Sequence, residues 1–332
     1  MSTANPINTF KWLVKREFWE YRGSFFWAPL ITAMVMIAIS LMGLITAEVT
    51  AHQHGVSINA FNLSKITSSM SADDVDKLHT ALDATLLGMC VPIGIVLFFV
   101  LFFYGVGTLY NDRADRSVLF WKSLPFSDTE TVLAKVVAVA VLAPILAVVA
   151  MIIQQLGFLV LMTCYTMFHD IGAVTLLWSP THLLTLWLHM IVRIPINALW
   201  ALPSIGWLFM CSSFARSKPF LWAVMVPVLS GVIVTWMNLM QSFSLASGWF
   251  WKHIVARLLL SLVPGSWMWM DFSPAMIARM GDNPSEIGRN ILSLTALGNE
   301  LLSPDMWIGA AAGAAMVVAA IYFRRKRVEA YA

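Results

Sequence analysis

Six separate runs of about twenty residues contain almost no charge. Wound into a helix at about 1.5 Å per residue, each matches a bilayer's ~30 Å hydrocarbon core. They are Phe25–Thr46, Leu86–Leu109, Val136–Met162, Ile194–Phe214, Phe220–Met240 and Pro304–Phe323. Charged residues make up 12% of the 332, against about 25% in a soluble domain. The pattern predicts an all-α polytopic membrane protein with six transmembrane helices, in one transmembrane domain over residues 1–332. The run 182–213 is too long for one span without strong tilt. Arg193 and Pro195 interrupt it, so an interfacial helix near 181–192 is expected, followed by a span from Ile194.

The basic residues set the expected orientation. Segments 1–24, 111–135, 214–219 and 324–332 together hold 14 Lys and Arg, whereas 47–85, 163–192 and 241–303 hold 6. Loops rich in Lys and Arg stay in the cytosol. Both termini are therefore expected in the cytosol, with the protein in a membrane such as the bacterial cytoplasmic (inner) membrane. The first run follows a charged segment and exceeds a signal h-region, so it reads as a retained span. A net charge of +3 and no basic–aromatic surface argue against nucleic acid. Cys90, Cys164 and Cys211 are scattered and form no CxxC, which argues against a disulfide framework or a zinc site.

Residues 6–22 predict an amphipathic helix lying in the inner interface. Phe10, Leu13, Val14, Phe18 and Tyr21 share one face, and Lys11, Lys15, Arg16 and Trp19 lie largely on the other. Segment 241–303 predicts re-entrant or interfacial helices at the outer side. Lys252–Val263 reads as helical and Pro264-Gly265 as its stop. Ser273-Pro274 and Asn283-Pro284 open two further short helices, and Ser303-Pro304 opens the last span. Trp249, Trp251, Trp267 and Trp269 keep the segment at membrane depth.

The break at 110–135 is not built like an idle loop. It carries four basic and four acidic residues, then Val118-Leu119-Phe120-Trp121 and Leu124-Pro125-Phe126. Exposed aromatics of this kind mark a docking surface. Ser127-Asp128-Thr129-Glu130 is a capping box that starts a helix running into the third span. Asp112-Arg113 after span two, a short helix near Asp115–Ser123 with its coupling segment around Ser117–Lys122, Leu124-Pro125 and Lys135 resemble the permease family of ABC-2-type exporters. Lys15-Arg16-Glu17 before span one and the six-span layout fit as well; segment 241–303 is longer than that family's usual layout.

The resemblance implies a division of labour. The chain would form half of an export channel and bind no cofactor itself. A separate ABC ATPase, in two copies, would hold ATP-Mg and push on the coupling segment 111–127. A second permease copy, identical or related, would complete the path. The absence of GxxxxGK[ST] agrees with this. Candidate ATPase-coupling residues are Asp112, Arg113, Arg116, Phe120, Trp121, Leu124 and Pro125. Phe120 and Trp121 either dock into the ATPase or turn back into the lipid interface.

Several polar residues lie within apolar runs: Gln154, Gln155, Arg193, Asn197 and Asn238. Each either joins helices or lines a path; Arg193 either snorkels to the interface or meets an anionic headgroup. Asp73-Asp74-Val75-Asp76 reads as a helix first turn rather than a metal motif, and His52 and His54 lack a third ligand. Gly309 and Gly313 form a GxxxG packing motif. An apolar path favours a lipid, lipid-linked or hydrophobic peptide cargo. Two other function classes stay open: a membrane enzyme acting on a lipid or isoprenoid, and a non-transporting scaffold or sensor subunit. No HExxH or GxSxG supports the enzyme.

Overall fold

The computed structural model describes residues 6–54, 72–116, 126–169, 178, 183–240, 246–266, 298–299 and 301–326, with backbone alone for 72–79. All regular structure among them is helical. Six helices are long and apolar enough to cross a membrane: Gly23–Gln53, Thr80–Ala114, Asp128–Phe168, Leu183–Phe214, Pro219–Leu239 and Pro304–Lys326. Five of them cover a run expected from hydropathy in full, and the fifth span ends one residue short of Met240.

Helix α1 (Pro6–Glu20) passes through a wide π-helical turn at Gly23–Trp27 into α2 (Ala28–Gln53). Gly23 and Ser24 thus mark a change of helical pitch rather than a break in the helix. The second span consists of α3 (Ala72–Gly88) and α4 (Val91–Ala114), joined by a turn at Met89 and Cys90. The third consists of α5 (Asp128–Val137) and α6 (Ala143–Phe168), joined by a π-helical turn. The fourth and fifth are α7 (Leu183–Phe214) and α8 (Pro219–Leu239). Short α9 (Ser247–Phe250) and α10 (Arg257–Leu260) flank another π-helical turn, and the positive φ of Gly265 ends this segment near the anticipated Pro264-Gly265 stop. The sixth span is α11 (Pro304–Lys326).

Span four corrects the sequence expectation. No break occurs at Arg193 or Pro195; α7 is one helix of 32 residues with both Pro195 and Pro203 inside it. A proline loses one backbone bond, but a helix packed among others tolerates the loss. Span four is the most enclosed of the six: 61% of its most apolar window is buried, against 6% for span one. It contacts α4, α6, α8, α10 and α11.

Its closest partner is span six. A Cβ added to Gly313 would collide with the Leu202 carbonyl and the Pro203 nitrogen, and one added to Gly206 would collide with the Gly313 carbonyl. Three features permit this approach: two missing side chains and a proline nitrogen without a hydrogen. The GxxxG motif therefore packs within the subunit, with Gly309 set against the Arg257 guanidinium. That guanidinium lies over the Trp200 ring, 3.1 Å from its centroid.

Candidate functional site

At the end of the bundle that carries α1 and Arg324-Arg325-Lys326, charged side chains converge, with Glu17, Asp112, Lys135 and Arg324 buried and Arg16 and Asp128 at the edge. Lys135 lies in α5, immediately before the apolar run of span three. It is fully buried. Its ammonium donates to Thr108 Oγ1 at 2.8 Å and pairs with Glu17 Oε1 at 3.3 Å and Asp112 Oδ1 at 3.7 Å. Glu17 is also fully buried and accepts from the Tyr104 hydroxyl at 2.7 Å and from Arg16. Arg324 of α11 bridges Asp112 Oδ2 at 2.8 Å and Asp128 Oδ1 at 3.2 Å. Arg325 donates to Thr129 Oγ1 at 2.9 Å.

The opposing charges offset one another: Glu17, Asp112 and Asp128 face Arg16, Lys135 and Arg324. Buried charges are tolerated only when paired and hydrogen-bonded in this way. Tyr21, Phe25 and Tyr104 pack around Glu17, with Tyr21 and Tyr104 centroids 4.6 Å apart. Two groups at the rim feel the cluster. Burial and the neighbouring Glu17 raise the Glu20 carboxyl above its ordinary 4.5. Burial, then Glu20, pushes the Tyr21 phenol up to about 12, so it stays neutral.

Arg113 serves a different purpose. Its guanidinium donates to the Ser212 carbonyl at 2.6 Å and the Ala215 carbonyl at 3.0 Å, which closes the C-terminal end of α7. Ser212 Oγ accepts from the Leu109 and Tyr110 amides in return. Asp112 and Arg113 are thus buried between helices, because α4 continues past Leu109 to Ala114. Arg116 is exposed and has a left-handed backbone, φ 56°. Phe120, Trp121, Leu124 and Pro125 lie outside the described residues, as do most of the short helix expected near Asp115–Ser123 and the helices anticipated after Ser273 and Asn283; Asp115 and Arg116, where that short helix was expected to start, instead form the C-cap of α4 and a left-handed turn.

Downstream, the capping box is present as expected. Ser127 Oγ accepts from the Glu130 amide at 3.1 Å, and the Ser127 amide donates to Glu130 Oε2 at 2.8 Å. Both flanks of segment 117–125 are therefore tied to the ion cluster, one through Asp112 and the other through Asp128 and Thr129.

The intramembrane polar residues divide into two groups. Gln154 and Gln155 are fully buried. The Gln154 amide donates to the Met89 carbonyl at 2.8 Å, and Gln155 donates to the Leu86 carbonyl at 3.2 Å. Those carbonyls are released by the turn between α3 and α4, so the glutamines replace the missing helical donors. Trp187 Nε1 completes the set by donating to Gln155 Oε1 at 2.8 Å. Arg193 and Asn197 instead line a cavity of about 420 Å³ among spans two, three and four. Asn238 is half-buried near the end of α8.

At the far end of the bundle His169 Nε2 lies 3.2 Å from Glu48 Oε2, which also accepts from the Tyr165 hydroxyl at 2.8 Å. Among the described residues no three His, Cys, Asp or Glu side chains converge as a metal set. Comparison with protein-family models, with curated proteins and with solved structures finds no match to this chain.

Proposed function

We propose that the chain is the membrane-spanning permease subunit of an ATP-driven exporter of the ABC-2 type. In this reading both termini lie in the cytosol, and the basic end of the bundle faces it. Segment 117–125 presents Phe120 and Trp121 to a separate ABC ATPase, which holds ATP-Mg. A second permease copy, identical or related, completes the path, and two ATPase copies drive it. Export is the direction that the family resemblance implies.

The observation supporting this reading is the ion cluster. It ties both flanks of segment 117–125 to α1, to the start of span three and to the end of span six. A connecting loop needs no such anchorage. A segment that receives a push does, because force passes only through stiff, mutually bonded elements. The exposed face of α1, with Trp12 and Trp19 beside Lys15 and Arg22, suits the headgroup layer in the same orientation.

Co-expression with an ABC ATPase encoded beside this chain tests the proposal. The ATPase is expected to co-purify with the wild-type protein. Phe120→Ala and Trp121→Ala are expected to remain in the membrane but to weaken ATPase binding about 30-fold, a hot-spot loss of about 2 kcal/mol. An ATPase that binds neither wild type nor variants, or binds all three equally, overturns it.

A further inference from the structure

The cavity lined by Arg193 and Asn197 lies at the other end of the molecule from the ion cluster. Its walls come from α3 and α4, from α6, from α7 and from the turn at 263–265. Leu87, Val91, Ile95, Val148 and Met151 make it largely apolar. Among its described lining residues Arg193 bears the only charge, and Asn197 follows one helical turn later on the same face of α7. Its volume of about 420 Å³ falls within the range of ligand pockets.

Depth identifies the ligand class. Helix α7 is about 48 Å long at 1.5 Å per residue, well beyond the ~30 Å hydrocarbon core. Twenty residues back from its inner end at Phe214 is Ile194, so Arg193 stands at the opposite hydrocarbon boundary. That is the level of a lipid's phosphate. The guanidinium presents a planar fork of donors suited to a phosphate or carboxylate, with the Asn197 amide beside it. The rest of the cavity offers hydrocarbon contact.

We propose that this cavity is a binding site for an anionic phospholipid, with an acyl chain against Val91, Ile95 and Met151 and the phosphate held by Arg193 and Asn197. The site is formed within one subunit. The inference does not rest on the exporter reading, and its test involves no ATPase.

The site has a convenient plug. A Cβ added to Gly94 meets no atom within 4 Å, and Gly94 lines the cavity. Gly94→Leu therefore projects its side chain into the space without displacing backbone. The full-length protein in dodecyl maltoside is titrated with dioleoyl phosphatidylglycerol or dioleoyl phosphatidylcholine and followed by native mass spectrometry. Wild type is expected to bind one phosphatidylglycerol about tenfold more tightly than phosphatidylcholine. Arg193→Gln is expected to remove that preference, and Gly94→Leu to weaken binding of both lipids about tenfold. Circular dichroism and the unfolding midpoint of each variant establish that both are folded. Equal wild-type affinity for the two lipids overturns the proposal. So does phosphatidylglycerol binding that is unchanged in both variants, which is the behaviour of lipid bound only around the perimeter.

Discussion

Lys135→Met is the most direct perturbation of the ion cluster. The substitution keeps an unbranched side chain of nearly the same length and removes its charge. In wild type the ammonium sits 3.3 Å from Glu17 and 3.7 Å from Asp112. At an effective dielectric near 20, each attraction is worth about 4–5 kcal/mol before the cost of desolvating the ions. Most of that gain is offset by desolvation, but removing one partner leaves the desolvation of the others in place. Asp112 retains Arg324, whereas Glu17 retains Arg16 and the Tyr104 hydroxyl. The net destabilisation expected is about 3–5 kcal/mol. At about 2 °C per kcal/mol for a large chain, the unfolding midpoint falls by roughly 6–10 °C. Thermal unfolding in dodecyl maltoside, at one scan rate for all proteins, reads this directly. The double variant Lys135→Met/Glu17→Gln is expected to recover about 2 kcal/mol relative to the sum of the single changes, since it restores neutrality. A Lys135→Met midpoint within about 2 °C of wild type, or strictly additive effects in the double variant, would refute the reasoning.

Three further outcomes follow from the geometry. The folded Glu20 pKa lies above 4.5, so folding takes up protons there, and stability is lost as pH rises from 4.5 through the raised value. Glu20→Gln removes that loss, so its midpoint relative to wild type should be higher at pH 7 than at pH 4; a pH-independent difference would contradict this. Gly313→Leu forces span six away from Leu202 and Pro203 and is expected to cost about 3 kcal/mol or more, measured as urea or thermal stability in detergent. Gln155→Leu leaves the Trp187 indole without its acceptor and the Leu86 carbonyl with only the weak Cys90 thiol donor, at about 1–3 kcal/mol for the indole and less for the carbonyl. Retention of wild-type stability would show that other donors fill in.

The spans were readable because hydropathy is a sum over about twenty residues, and no local detail reverses it. The capping box at Ser127 was readable because its bonds link residues three apart. Gln154 and Gln155 were legible as polar residues at depth, but not their purpose: the turn at Met89 and Cys90 that they repair is bracketed by Gly88 and Pro92, yet it lies inside a run apolar enough to read as one span. The ion cluster was hidden because its partners lie far apart, 118 residues from Lys135 to Glu17 and 212 from Arg324 to Asp112. A charged residue next to a loop reads as solvated. One signal did exist: Glu17 falls between Leu13 and Tyr21 at four-residue spacing, on the apolar face of α1. The continuity of α7 was misjudged because Pro195 reads as a stop in isolation, whereas the surrounding helices hold the chain in register.

The close crossing of spans four and six gives the molecule a fulcrum. Gly313 is pressed against Leu202 and Pro203 with no side chain between them. From that point α11 runs 11 residues to Arg324 in one direction and 8 to Asp305 in the other. At 1.5 Å per residue the two arms are about 16 Å and 12 Å long. A tilt of roughly 10° about the crossing carries Arg324 through about 3 Å and Asp305 through about 2 Å in the opposite sense. Arg324 is fastened to Asp112 and Asp128, and the Asp305 carbonyl accepts from Arg257, whose guanidinium covers Trp200. The geometry is that of a rocker: displacement at the charged end emerges, reversed and slightly reduced, about 28 Å away.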